Sequence, residues 1–101
     1  MKLTRLFQPI SIGGLELKNR IKLPAMGIAF EEDAAVSEQT RAFYAARARG
    51  GVGLIGVSCT TTQLDRGPLY GLYDDRFLPG LSSLVDVIHS GGARGSVTFS
   101  V

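Results

Sequence analysis

Tryptophan is absent from this 101-residue sequence, and cysteine occurs only once. A lone cysteine, Cys59, excludes an internal disulfide. Charge of one sign is missing too: 11 Lys and Arg against 9 Asp and Glu leave a net charge of +2. Basic and acidic residues are interspersed, so no basic stripe supports a nucleic acid or an anionic membrane as partner. No apolar run reaches membrane-spanning length, and no cationic-then-apolar leader opens the chain, so the expectation is a soluble, cytoplasmic protein. What is present in quantity is apolar surface. With 45% apolar residues the chain is no disordered tail, and its length suffices for one small core.

The architecture is declared in the stretch from Phe43 to Val57. Phe43-Tyr44-Ala45-Ala46-Arg47-Ala48-Arg49 is built from strong helix formers, and Arg47 and Arg49 suit the negative end of a helix. Gly50 is expected to supply the left-handed residue that ends it. The run from Val52 to Val57 is apolar on both alternating faces, as a buried parallel strand requires. A helix feeding such a strand is the mark of an α/β layered fold.

Other elements fall into place around this join. Alternating runs on either side of Gly13-Gly14 predict a β-hairpin over about 8–18. Strands are expected over about 21–26, 53–58 and 96–101, and helices over about 37–49 and 79–90. Ser37 is placed to cap the first helix, with Glu38 in its first turn. Leu81, Leu84, Val85 and Ile88 form an apolar stripe on the second, which Gly91-Gly92 closes. Cys59 to Asp75, including Arg66-Gly67-Pro68, reads as a long loop beyond a strand's carboxyl end, where α/β folds carry chemistry. The order is hairpin, then βαβαβ. A complete (β/α) barrel needs roughly 250 residues, so these units make only part of one.

Few residues announce chemistry by themselves. Met26 at a strand end is ordinarily core filler, and Cys59 has no basic flank or positioned base, which favours an inert buried thiol over a nucleophile. His89 reads as a partner of the helix's C-terminal dipole or as a solvent-facing residue. Glu31, Glu32 and Asp33 read as a solvated loop, with no His or Cys to complete a metal site. Gly50-Gly51-Val52-Gly53 follows a helix and precedes a strand, the reverse of the order that puts a phosphate on a helix N-terminus. Tyr73-Asp74-Asp75 reads as a turn into the second helix.

Four motifs in order go further. Leu6-Phe7-x-Pro9-Ile10-x-Ile12-Gly13-x-Leu15-x-Leu17-Lys18-Asn19-Arg20-Ile21 comes first, then Pro24-x-Met26-Gly27. Tyr44-x-x-Arg47-Ala48-x-Gly50-Gly51-Val52-Gly53-Leu54-Ile55 and Tyr73-Asp74-Asp75-Arg76-Phe77-x-Pro79-Gly80-Leu81 follow. Together they resemble the opening of the Old Yellow Enzyme family of FMN-dependent NADH:flavin oxidoreductases, most closely the branch of 2,4-dienoyl-CoA reductase and bile-acid-type enoate reductases. The resemblance spans residue 3 to about residue 94.

The resemblance implies the N-terminal part of a TIM barrel, an N-terminal hairpin closing its bottom, and FMN across the carboxyl ends of the strands. It implies hydride transfer from NAD(P)H through FMN to an activated C=C bond of an enoate or similar small molecule. Pro24, Ala25, Met26 and Gly27 would meet the flavin ring largely through backbone, because a run without bulky charge lets the main chain approach a flat ring. Cys59 falls where the family usually has Ala or Gly near the flavin. A second departure lies in the third strand, where a family Gln contacts FMN within a Leu-Gln-Leu-x-His run. Here the corresponding positions read Val97-Thr98-Phe99-Ser100-Val101, and the likeness is expected to fade near Gly95. A shifted reading frame would produce such a tail, as would divergence. The family's substrate-binding, proton-donating and phosphate-holding residues belong to later strands, so no catalytic residue is assigned and catalysis by this chain alone is not expected. The alternative is a non-catalytic barrel fragment that binds no flavin and associates through its open sheet edge.

Overall fold

The strand Leu54–Thr60 is the axis of the structure, a computed structural model that describes residues 2–64 and 67–100. Seven elements surround it in addition to a short 3-10 turn. The hairpin strands β1 (Ile10–Ile12) and β2 (Leu15–Leu17) pair antiparallel, with Ile10 opposite Leu17 and Ile12 opposite Leu15. Gly13 and Gly14, at φ of 55° and 87°, supply the two positive-φ residues that a tight type I′ connection demands. β3 (Lys22–Leu23) follows, then helix α1 (Glu38–Arg49), then the axial strand as β4. β5 (Tyr70–Gly71), helix α2 (Leu78–Ser90) and β6 (Arg94–Ser100) complete the chain.

All three partners of β4 run parallel to it. β6 pairs along its whole length, from Leu54 opposite Arg94 to Thr60 opposite Ser100. A strand has two edges, so β3 and β5 share the other one. β3 takes its beginning, with Leu23 opposite Ile55, and β5 takes its end, with Cys59 opposite Tyr70. Pro24 explains the division, since it has no N–H to continue a ladder. Both helices pack on one face of this sheet, where Ile55, Val57 and Cys59 meet Tyr44, Ala48, Leu84 and Ile88 in the core. Among the described residues no helix is long and apolar enough to cross a membrane.

The expected elements are present with altered limits. Helix α1 begins as anticipated, with Ser37 accepting from the Thr40 N–H at 3.1 Å and Thr40 Oγ1 accepting from the Ser37 N–H at 3.3 Å. Helix α2 starts one residue early, behind a 3-10 turn over Asp75–Phe77 that Asp74 caps. In its stripe Leu84 and Ile88 are buried and Leu81 packs against the core, whereas Val85 is 45% exposed.

Four expectations need correction. The first parallel strand is two residues long rather than reaching residue 26, because Pro24 ends it. The second runs to Thr60, so Cys59 lies inside a strand and not in the loop after it. That loop itself contains β5. Finally, Gly50 is right-handed at φ −71°, and Gly51 at φ +110° makes the left-handed exit from α1. The Asp65-Arg66 part of the loop and Val101 of the last strand lie outside the described residues.

One residue holds the helix-to-strand join to the hairpin. Asn19 is 7% exposed; its Nδ2 donates to Gly51 O at 2.6 Å and its Oδ1 accepts from the Ile21 N–H at 3.0 Å. A Cβ on Gly53 would collide with the Asn19 side chain, which accounts for glycine there.

Candidate functional site

The face of the sheet opposite the helices presents its smallest side chains. In a strand alternate residues share a face, so Gly56 and Ser58 of β4 stand beside their partners Ser96 and Thr98 of β6, with Thr60 next along the same face. β3, β4 and β6 are parallel; β4 and β6 end together at Thr60 and Ser100, the end at which parallel α/β sheets hold ligands, whereas β3 ends beside Ile55, near the start of β4. Lys22 and Arg94 sit at the opposite end, each in register with Leu54.

Across this face the chain after β3 makes a close crossing. A Cβ on Gly56 would lie 2.8 Å from the Ala25 nitrogen and 3.3 Å from its Cα, so the main chain of Ala25 passes directly over Gly56. Pro24, Met26 and Gly27 are exposed, Met26 to 40%, and none is paired in the ladder. Gly27 in turn supports the Pro68 ring, which occupies the space a Cβ would need. The Pro24–Gly27 segment is thus held from two sides while its outer surface stays open.

Cys59 lies elsewhere. It is 1% exposed and packs with Tyr44, Tyr70, Leu84 and Ile88 on the helix-facing side, one residue out of phase with Ser58 and Thr98. Burial pushes its thiol up to about 11, and a protonated thiol is a poor nucleophile. The structure therefore gathers four of the five residues named from the sequence and sets the Cys59 side chain apart from them. Two polar positions on the open face, Ser58 and Thr98, carry no signal in the sequence beyond strand alternation. Behind the site, Thr40 Oγ1 lies 2.8 Å from Tyr70 Oη, Ser37 Oγ donates to Phe30 O, and the Gly71 N–H donates to Ala34 O at 2.8 Å. These bonds fix β5 and the loop before α1 to one another.

The profile of the NADH:flavin oxidoreductase / NADH oxidase family matches residues 5–101. The chain belongs to this family. The match runs through residue 101, so the likeness does not stop at Gly95. A metal reductase of Desulforamulus reducens is 43% identical over 93 residues, covering 88% of this chain and 14% of the relative. An NADH oxidase of Thermoanaerobacter brockii is 37% identical over 94 residues, again covering 88% and 14%. This chain thus spans 14% of the length of each of these two curated relatives. A solved 2-naphthoyl-CoA reductase superposes with a TM-score of 0.89 at 31% identity, over 94% of this chain and 15% of that one. The Old Yellow Enzyme of Pichia sp. AKU4542 gives 0.84 at 24% identity, a likeness of fold, over 94% and 26%. The βαβαβ unit is accordingly the opening part of a family barrel, with no closed barrel of its own.

The open face fits one portion of FMN, the family's cofactor. Gly56, Ser58 and Thr98 are small, and Pro24–Gly27 offers main chain without bulky charge, as close approach to a planar ring requires. The phosphate end has no counterpart in these strands, whose Lys22 and Arg94 lie at the far end.

Proposed function

We propose that this chain forms the first wall of an FMN site in an ene-reductase-like oxidoreductase. The observation that carries the reading is the exposed, unpaired Pro24–Gly27 segment, drawn from the end of β3 over Gly56 on the face of the sheet opposite the helices. The chemistry that FMN supplies when bound is hydride relay from NAD(P)H to an activated C=C bond of an enoate-like acceptor. The chain's own share is positioning. Met26 and Gly27 present peptide N–H and C=O groups to the polar edge of the ring, and Ala25 keeps that main chain seated on Gly56. Thr98 stands at the position of the family glutamine, with a shorter side chain offering one hydroxyl. The Cys59 thiol takes no part and serves the core. A cytoplasmic setting, in keeping with a single buried thiol, supplies the nicotinamide reductant.

A second reading has an observation of its own. Thr98 in place of glutamine, and no cation near the mouth in β3, β4 or β6, favour a scaffold piece without flavin binding. Titrating FMN with the purified chain separates the two. Quenching of flavin fluorescence at up to tens of micromolar protein, lost in Gly27→Val, supports the ring-wall reading; unchanged fluorescence over that range leaves the scaffold reading standing.

A further inference from the structure

The Pro24–Gly27 segment is an arch anchored at both ends, and we infer that Thr40 is the positioning residue of its far end, acting through Phe30. The inference rests on the reading of this segment as a wall of the FMN site. At the near end Leu23 is paired opposite Ile55 and packs against the core. At the far end only Ile28 and Ala29 separate Gly27 from Phe30. Ile28 packs against the core, and Ala29 has a φ of 60°, a left-handed conformation that a residue with a side chain keeps only where its surroundings impose it. The hold on Phe30 imposes it here.

Helix α1 grips Phe30 by its ring and by its carbonyl. The ring meets the Phe43 ring edge-on, with centroids 5.9 Å apart. The carbonyl accepts from the Ser37 hydroxyl and, at 3.4 Å, from the Thr40 hydroxyl. A carbonyl oxygen has two lone pairs, so both bonds are made at once. A helix cap requires only the bond from the Thr40 N–H to Ser37 Oγ, so the two bonds to Phe30 O serve the loop. Ser37 is 6% exposed and Thr40 0%. The proton count makes Thr40 the hub of the cluster. Its single hydroxyl proton goes to Phe30 O, so the Tyr70 hydroxyl, 2.8 Å away, donates to Thr40 Oγ1, as does the Ser37 N–H at 3.3 Å. One oxygen thus joins the arch, the cap of α1 and β5. Removing it frees Phe30 O from one of its two bonds, lets Ala29 relax and moves Gly27.

Two-dimensional amide NMR of the purified 101-residue chain without FMN tests the positioning directly. Thr40→Val keeps the shape of the side chain and removes the hydroxyl, and should displace the Met26 and Gly27 amide peaks. Thr40→Ser keeps the hydroxyl and should leave them near their parent positions. Ser37→Gly, which a helix cap tolerates, removes the other bond to Phe30 O and should displace the same peaks, so the comparison stands even where Thr40→Val fails to fold. Ile88→Val, a core replacement on α2, measures the unspecific effect and should move these peaks less. Peaks that stay in place in Thr40→Val and Ser37→Gly overturn the inference, as do peaks that move equally far in Thr40→Ser or Ile88→Val. Fluorescence titration with FMN reads the consequence. Thr40→Val should bind about fivefold more weakly, the worth of one hydrogen bond, and Thr40→Ser within about twofold of the parent. Equal affinities overturn the link to the flavin. A parent chain that leaves FMN fluorescence unchanged overturns the flavin-wall reading itself, whereas the peak positions, read without FMN, still decide whether Thr40 sets this segment.

Discussion

Tyr70 Oη and Thr40 Oγ1 stand 2.8 Å apart and tie the two-residue strand β5 to the first turn of α1. A few residues along α1, the hydroxyl of Tyr44 is equally buried and has no partner among the described residues. The same replacement should therefore act in opposite senses at the two tyrosines. Tyr70→Phe strands Thr40 of one bond and should lower stability by about 1 kcal/mol. Tyr44→Phe removes a desolvated hydroxyl that gains nothing, and should be neutral or stabilising by up to about 1 kcal/mol. Urea unfolding followed by circular dichroism measures both, and equal losses would show that Tyr44 has a partner after all.

Alkaline pH should destabilise the chain in a defined window. Burial raises the Cys59 thiol from its ordinary 9.0 to about 11, and burial, with Tyr70 and Cys59 nearby, raises the Tyr44 phenol from 10.0 to about 12. In both cases the folded state holds a proton that the unfolded chain gives up, so the stabilisation is complete below pH 9 and falls as pH rises toward 11 and 12. Cys59→Ala should flatten the decline between pH 9 and 11, and Tyr44→Phe that between pH 10 and 12. Urea midpoints at pH 8, 10 and 11 for the parent and the two variants give the comparison; an unchanged slope in Cys59→Ala would remove the thiol from the explanation.

Gly56→Ala should disturb the open face more than the core. Its new methyl would stand 2.8 Å from the Ala25 nitrogen, so the Pro24–Gly27 segment must lift. Overpacking of this kind costs about 1 to 3 kcal/mol. Gly95→Ala, with only ordinary contacts around its methyl, is the control and should cost under about 1 kcal/mol. Thermal melts of the two variants, with any FMN quenching as a second readout, check the difference.

Much of this was legible in the residues themselves. The hairpin follows from Gly13-Gly14 between alternating runs, α1 from Ser37 and the Ala/Arg run, and α2 from the Leu84 and Ile88 stripe. Family membership came through motifs that cluster at turns and helix ends. What the sequence hid is non-local. Asn19 looks like an interruption after the hairpin, and its value lies in a bond to Gly51 across 32 positions. By sequence alone Cys59 lies beyond its strand, because nothing local marks whether a β-branched threonine run extends a strand or begins a loop. The facing of its side chain depends on that register: one step along β4 separates a core thiol from the open-face Ser58. β5 is too short for any periodicity and exists because the edge of β4 is vacant above Pro24.

That shared edge brings the connection after β4 against the proposed flavin-side wall. Because β5 fills the place that β3 leaves, and Pro68 rests on Gly27, adding or removing a residue there would slide the proline along its seat. The Met26 main chain would shift height without any change to its own residues. Changing the length of this connection would therefore be a way to alter the proposed ring wall from outside it.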